Sequence, residues 1–302
     1  MVISSCSEYG RSVNATFEEL STLVLTVVDA YRKHQGDLGP PYKSRCQAWD
    51  DRNAERRFAG EWSRMPFRNL HSQAIGFLGR AEDHLRGCAH LIAADGTAYS
   101  PVSLGRPVLT ASATTYWMLD PEIDLTERIR RSMNLKLSAL QERGMYADED
   151  NDDVFRAEIE KEIEDIRRAA QSAGLTPKKT KKGRHFVGEL APTDTRMLRE
   201  LVDHLDIPLS AEFLYRIYSA SIHANLNSGV HTQYEPNGSH RDGVGDYSVT
   251  VDLDKMAQYV QIPAYAFYTS CVRTMTYFGQ RTGPFDAQAL PALTRLSTIA
   301  AS

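Results

Sequence analysis

The chain has 302 residues, 42% hydrophobic, 9% aromatic and 25% charged, proportions that exclude a disordered, collagen-like or disulfide-stapled protein. Lys+Arg 35 against Asp+Glu 39 gives a formal net charge of -4 and a pI near 6.2, so any nucleic-acid contact must come from a local basic patch. The residues up to Ser12 carry no basic-then-apolar export signal, and Leu20 to Val28 is too short and too interrupted to span a bilayer. A cytoplasmic protein without membrane contact is the expectation. Cys6, Cys46, Cys88 and Cys271 are far apart and lack a zinc-ligand spacing, which predicts free thiols, no metal and no cofactor.

Thr16 and Glu19 have capping-box spacing, and Phe17, Leu20, Val24, Val27 and Tyr31 recur at helical period, predicting a helix over about 16–33. Residues 42–65 read as charged and irregular, with Trp49 and Trp62 as anchors onto the main body. A long helix follows over about 66–93. Ser100-Pro101 then opens a third helix that runs to Leu119, rich in small residues and kinked at Pro107. Asp124 caps a fourth, with a stripe of Leu125, Ile129, Met133, Leu137 and Leu140 closed by Gly144.

A fifth helix is expected over about 153–173, after an acidic stretch at 145–153. Residues 145–165 hold ten acids and two bases, whereas 167–185 hold seven bases and no acid. Mutual neutralisation within an exposed helical arm is the simplest reading, and whether the basic loop Lys178 to Arg184 also meets an anion stays open. Further helices are predicted at about 193–205, 211–224 (capped by Ser210) and 253–278, the last apolar on nearly every face and interrupted by Pro263, with a short one near 286–299. Residues 225–252 read as one long irregular loop with a short strand at Tyr247, Val249 and Val251. The sum is an all-α, single-domain bundle of eight or nine helices. Within it, 1–65 is an N-terminal helix and arm, 66–143 and 191–302 are core helices, and 144–190 is the charged arm.

The helix at 211–224 is apolar on two sides, which leaves a narrow polar stripe of Arg216, Ser219 and His223. Histidine moves protons near neutral pH and a guanidinium matches a phosphate, so the pair suffices for RNA cleavage through the substrate's own 2′-hydroxyl. A second candidate is a ligand site of Arg106, Thr110 and Trp117 on the third helix, extended by His231 and Tyr234 from the long loop. The histidine spacings in that loop match no standard metal site. His84 with Cys88, and Glu200 with His204, read as packing or surface pairs.

Arg216 and His223 fit the Arg-x(4–6)-His spacing, in which the chain resembles the HEPN family of helical, metal-independent ribonucleases. The stretch Ser103 to Pro107, with Trp117 to Pro121 and the late Tyr-Arg…Ser…His helix, is also similar to a family of bacterial all-helical proteins of unassigned activity. The HEPN resemblance implies a homodimer acting on RNA, with His223 as acid–base, Arg216 as phosphate ligand and Ser219 in support. Two other readings stay open. One is a small-molecule enzyme or binding protein for a small anionic ligand, using an interhelical pocket. The other is a non-catalytic interaction module whose polar stripe fixes helix packing.

Overall fold

The computed structural model describes residues 15–36, 38, 42–43, 45–55, 66–94, 99–150, 152–222, 232–241 and 244–302, with backbone alone at 66, 148, 221–222, 232–241 and 244–250. Helix dominates, as the hydrophobic periodicity predicts. In chain order the helices are α1 (Phe17–His34), α2 (Gln47–Glu55), α3 (Pro66–Ala93), α4 (Ser100–Ser103), α5 (Gly105–Met118), α6 (Leu125–Glu149) and α7 (Asp153–Ser172). After two short strands come α8 (Asp194–Leu205), α9 (Ala211–Ile222), α10 (Leu253–Tyr277) and α11 (Gly283–Ala300). The strands form two antiparallel ribbons, β1 (Pro177–Lys179) with β2 (His185–Val187) and β3 (Thr232–Arg241) with β4 (Val244–Val251).

Helix α10 sits at the centre and packs against α1, α3, α5 and α11. Its all-round apolarity is thereby buried: Val260, Ala264, Phe267, Cys271 and Met275 are all sealed from solvent. Local capping defines several starts. Thr16 Oγ1 accepts the Glu19 N–H at 3.0 Å, Thr193 caps α8, and Ser210 Oγ accepts from Phe213 N at 3.2 Å. Cys46, Cys88 and Cys271 are free and buried. Burial pushes the Cys88 thiol up to about 12, so it is inert as a nucleophile. Cys6 lies outside the described residues. No helix among the described residues is long and apolar enough to cross a membrane.

Several sequence expectations are corrected. The third helix is two: α4 ends at Ser103 and α5 restarts at Gly105, which places Pro107 in a first turn rather than an interior kink. Proline has no N–H to give the Ser103 carbonyl, so the chain breaks where that bond is missing. Gly144 does not close α6, which runs on to Glu149. An interior glycine costs about 1 kcal/mol relative to alanine, and burial of Ala147 with Leu140 and Ile159 of α7 offsets it. Within the stretch read as irregular, α2 forms and buries Ala48 and Asp51, leaving Trp49 40% exposed and no anchor. Trp62 lies outside the described residues.

The stretch 225–252 contains a β-hairpin instead of one short strand in a loop. Pro236 pairs with Tyr247 in it, and the register slips between Asn237 and Arg241. A two-stranded ribbon has only edges, so a proline costs it no central ladder, and a bulge absorbs the turn-forming residues that follow. Among the described residues the helices number eleven, the four-residue α4 included, and the four strands add only two small ribbons, so the architecture stays all-α.

The bundle is tied together by a buried polar chain that the periodicity did not reveal. Arg128 of α6 is 0% exposed and its Nη1 donates to both carboxylate oxygens of Asp51 at 3.0 Å. Its Nη2 donates to the carbonyls of Asp120 (2.8 Å) and Ile123, while Nε finds no acceptor. Tyr277 Oη donates to Asp51 Oδ2 at 2.6 Å. With its single proton spent there, Tyr277 can only accept from His71 Nε2, 3.3 Å away. The neutral Nε2–H tautomer follows, and His71 Nδ1 accepts from Tyr42 Oη at 3.0 Å. Burial raises the Asp51 carboxyl, against the lowering pull of Arg128, Tyr277 and Gln47.

Burial, with the nearby Arg52 charge, lowers His71 from 6.5 to about 3. The unfolded chain binds a proton at this histidine near pH 6.5 and the folded one does not until about pH 3, so stability falls as pH drops through that window. The slope contributed is up to about 1.4 kcal/mol per pH unit. Urea unfolding between pH 4 and pH 7 should show a steeper acid loss in the wild type than in His71→Gln; parallel curves would refute the assignment.

Candidate functional site

Helix α9 carries Arg216 and Ser219 of the predicted stripe, and three contacts hold it in place. Tyr218 is fully buried and its Oη donates to the Tyr259 carbonyl at 2.6 Å. That carbonyl is the one an α-helical N–H at position 263 would occupy, and Pro263 has none to offer. Tyr218 therefore satisfies the gap that proline opens in α10. Burial raises the phenol far above its ordinary range, so it stays a donor. The ring lies against Gly105, where a Cβ would come within 2.4 Å of Tyr218 Cε1 and 3.3 Å of Pro263 Cγ. Glycine is required there by close approach of α5, not by backbone strain.

One turn earlier, Tyr215 meets Arg106 of α5. The guanidinium hydrogen-bonds the Tyr215 hydroxyl through Nη2 and stands 4.5 Å from the ring centroid. Arg106 thus belongs to the α5–α9 contact. Thr110 offers its carbonyl to Thr114 Oγ1 at 2.8 Å. Trp117, about 16 Å further along the helix at 1.5 Å per residue, is 4% exposed and enters a different cluster. There Arg131 lies 4.6 Å from the Trp117 centroid, Arg273 lies 3.8 Å from the Tyr116 centroid, and Asp120 sits between both cations at 3.8 and 3.9 Å. Burial, then Arg273, lowers His204 beside Tyr116. Arg106 and Trp117 are not brought together.

The outward side of α9 differs. Arg216 is exposed, and Glu212 one turn before it is held by Arg199, which leaves Arg216 without an ion pair among the described residues. The Arg199 hydrogen bond chiefly, and the Arg216 charge further off, lower the Glu212 carboxyl. Ser219 Oγ is buried with no hydrogen-bond partner. A helical serine commonly bonds back to the carbonyl four residues earlier, and this one does not. His223 and His231 lie outside the described residues; Tyr234 is placed in β3, paired with Val249, by its backbone. No group of three metal-ligating side chains occurs among the described residues.

Compared with protein-family models, characterised proteins and solved structures, the chain finds no match in any of the three.

Sequence reasoning singled out Arg106, Arg216 and Ser219, but missed that Tyr215 engages Arg106 and that Tyr218 is the anchor. The available signal was the pairing of a proline inside an apolar helix with a tyrosine on the apolar side of another. Gly105→Ala should destabilise the protein by about 1–3 kcal/mol through overpacking. Tyr218→Phe should cost about 1–3 kcal/mol by leaving a carbonyl unsatisfied. Guanidinium denaturation of both variants checks this, and a Tyr218→Phe protein as stable as wild type would refute the proline-gap account.

Proposed function

We propose that the chain is a metal-independent ribonuclease of the HEPN type, in which Arg216 binds the scissile phosphate, His223 exchanges protons and Ser219 supports them. The observation that carries this reading is the state of Arg216: a solvent-facing guanidinium with no ion pair among the described residues, on a helix whose other sides are locked into the bundle. A packing module built on the same stripe needs Arg216 bound to protein groups. A small-anion pocket built on Arg106 needs that cation free, and Tyr215 engages it.

The chemistry follows from the residue types. His223 removes the proton of the 2′-hydroxyl, whose oxygen attacks the adjacent phosphorus; the P–O5′ bond breaks and the departing oxygen takes up a proton. The products are a 2′,3′-cyclic phosphate and a 5′-hydroxyl, with no oxidant, metal or water consumed. Arg216 stabilises the charge that builds on the non-bridging oxygens, and its planar fork fits two of them. Action in the cytoplasm and pairing of two copies across a two-fold axis belong to the same proposal.

The test is cleavage of a mixed RNA in EDTA by wild type, Arg216→Ala and His223→Ala, purified identically and shown to be folded. Loss of roughly 10²-fold or more in each variant is expected. Equal cleavage by all three, or none by any, would overturn the reading.

A further inference from the structure

Between Lys178 and Arg184 the chain places five cations in seven residues, Lys178, Lys179, Lys181, Lys182 and Arg184, and all five are exposed. The mutual neutralisation expected from sequence does not reach them. Four acids of the arm pair elsewhere: Glu162 with Lys136 at 3.5 Å, Glu164 with Arg167 at 2.7 Å, Asp165 with Arg168 at 2.6 Å and Asp153 with Arg156 at 2.7 Å. No ion pair to the five cations occurs among the described residues.

These charges are held together by structure. They lie on and around the β1–β2 ribbon, whose register pairs Lys178 with Phe186 and Lys179 with His185. Gly183 takes φ 82° in the turn, and Thr180 exchanges N–H and carbonyl contacts with Arg184 and Gly183 at 2.8 and 3.0 Å. Two side-chain amides of α6 clip β2 as a neighbouring strand would. Asn134 accepts from Val187 N (2.7 Å) and donates to Val187 O (3.0 Å), and Gln141 accepts from His185 N (2.7 Å) and donates to His185 O (3.1 Å). Val187 is sealed against Leu137 and Ala170. Burial first, then Lys179 and Arg167, disfavours the charged form of His185, a sign of the positive field around it.

A rigid ribbon that concentrates unpaired cations against their own repulsion presents a site for an external polyanion. Single strands and bilayers need more than charge: the first call for aromatic platforms on which bases stack, the second for apolar side chains that insert. The ribbon's aromatic residues, His185 and Phe186, are half-buried and Val187 is buried. What remains is the phosphate backbone of a duplex. In A-form RNA the narrow major groove brings two rows of phosphates close together, a target that a compact lysine tip can bridge.

We infer that the β1–β2 hairpin is a docking element for double-helical RNA, gripping its phosphates through Lys178, Lys179, Lys181, Lys182 and Arg184. The choice of RNA over DNA rests on the ribonuclease reading; the hairpin's role as a phosphate grip does not.

The test is fluorescence anisotropy of the full chain with a 2′-O-methylated RNA duplex of about 20 base pairs, longer than the roughly 16 that one compact domain spans. Such a duplex keeps A-form but has no attacking hydroxyl, so binding is read apart from cleavage. The variant K178Q/K179Q/K181Q/K182Q/R184Q, with an unchanged circular dichroism spectrum, should bind at least tenfold more weakly. Its slope of log affinity against log salt should be shallower by up to about 4.5, since each of the five phosphate contacts contributes roughly 0.9. Unchanged affinity of the variant would overturn the inference, as would wild-type binding to a B-form DNA duplex or to phosphatidylserine vesicles at least as tight as to the RNA. Hairpin-dependent binding of this duplex, with no cleavage of the unmodified mixed RNA in EDTA, would sink the ribonuclease reading and leave the docking element standing.

Discussion

A guanidinium with no solvent contact must find its counter-ion and its hydrogen bonds inside the protein, and Arg128 imposes that demand on the whole bundle. Its carboxylate comes from α2, the phenol that completes the carboxylate from α10, the imidazole behind the phenol from α3, and two carbonyls from the turn at 120–123. Uncompensated, a buried charge costs several kcal/mol. Any arrangement that separates these elements exposes an orphaned ion or leaves it unpaired. Buried ion pairs often add no more to net stability than apolar groups of equal volume, but this one joins α2, α3, α6 and α10 through a single chain of hydrogen bonds.

The candidate site depends on a second constraint of the same kind. Pro263 withholds one N–H from α10, and Tyr218 from α9 supplies the donor in its place, with Gly105 clearing the space. Helix α9 is thus keyed to α10 by a defect in α10. The keying fixes which way Tyr215 and Arg216 face: the tyrosine against Arg106, the arginine toward water. The arm repeats the logic at lower density. Two amides on α6 stand in for a strand and hold the basic ribbon at the surface, while Asp153, Glu164 and Asp165 of α7 pair with arginines three residues on. Charge that looks balanced along the sequence is therefore separated in space.

Helices with local caps and strong period were legible from sequence. Thr16, Thr193 and Ser210 cap through contacts three residues away, and the apolar faces of α1, α3, α6 and α10 repeat over several turns. The outward place of Arg216 was legible from one helix net, whereas the burial of the Ser219 hydroxyl was not. Arg128 was not, although it lies one turn from Leu125 and Ser132 on the buried side of α6, since its partner Asp51 is 77 positions earlier. The β3–β4 ribbon was half legible. Tyr247, Val249 and Val251 alternate as a strand should, whereas Pro236 and Asn237 of the partner strand carry turn chemistry that only the bulged pairing overrides.

By itself, the sequence determined an all-α architecture, the starts of its capped helices, the central position of α10 and the outward place of Arg216 on α9, because each rests on interactions within a few residues or on a repeating period. The tertiary structure alone decided the partners: Arg128 with Asp51, Tyr218 with the carbonyl released by Pro263, Arg106 with Tyr215, and the lysines of the ribbon with no described acid at all. The physical reason is range. Capping and amphipathicity act along one helix, whereas burial of a charge or a lone carbonyl is resolved only by groups that chain folding carries in from far away.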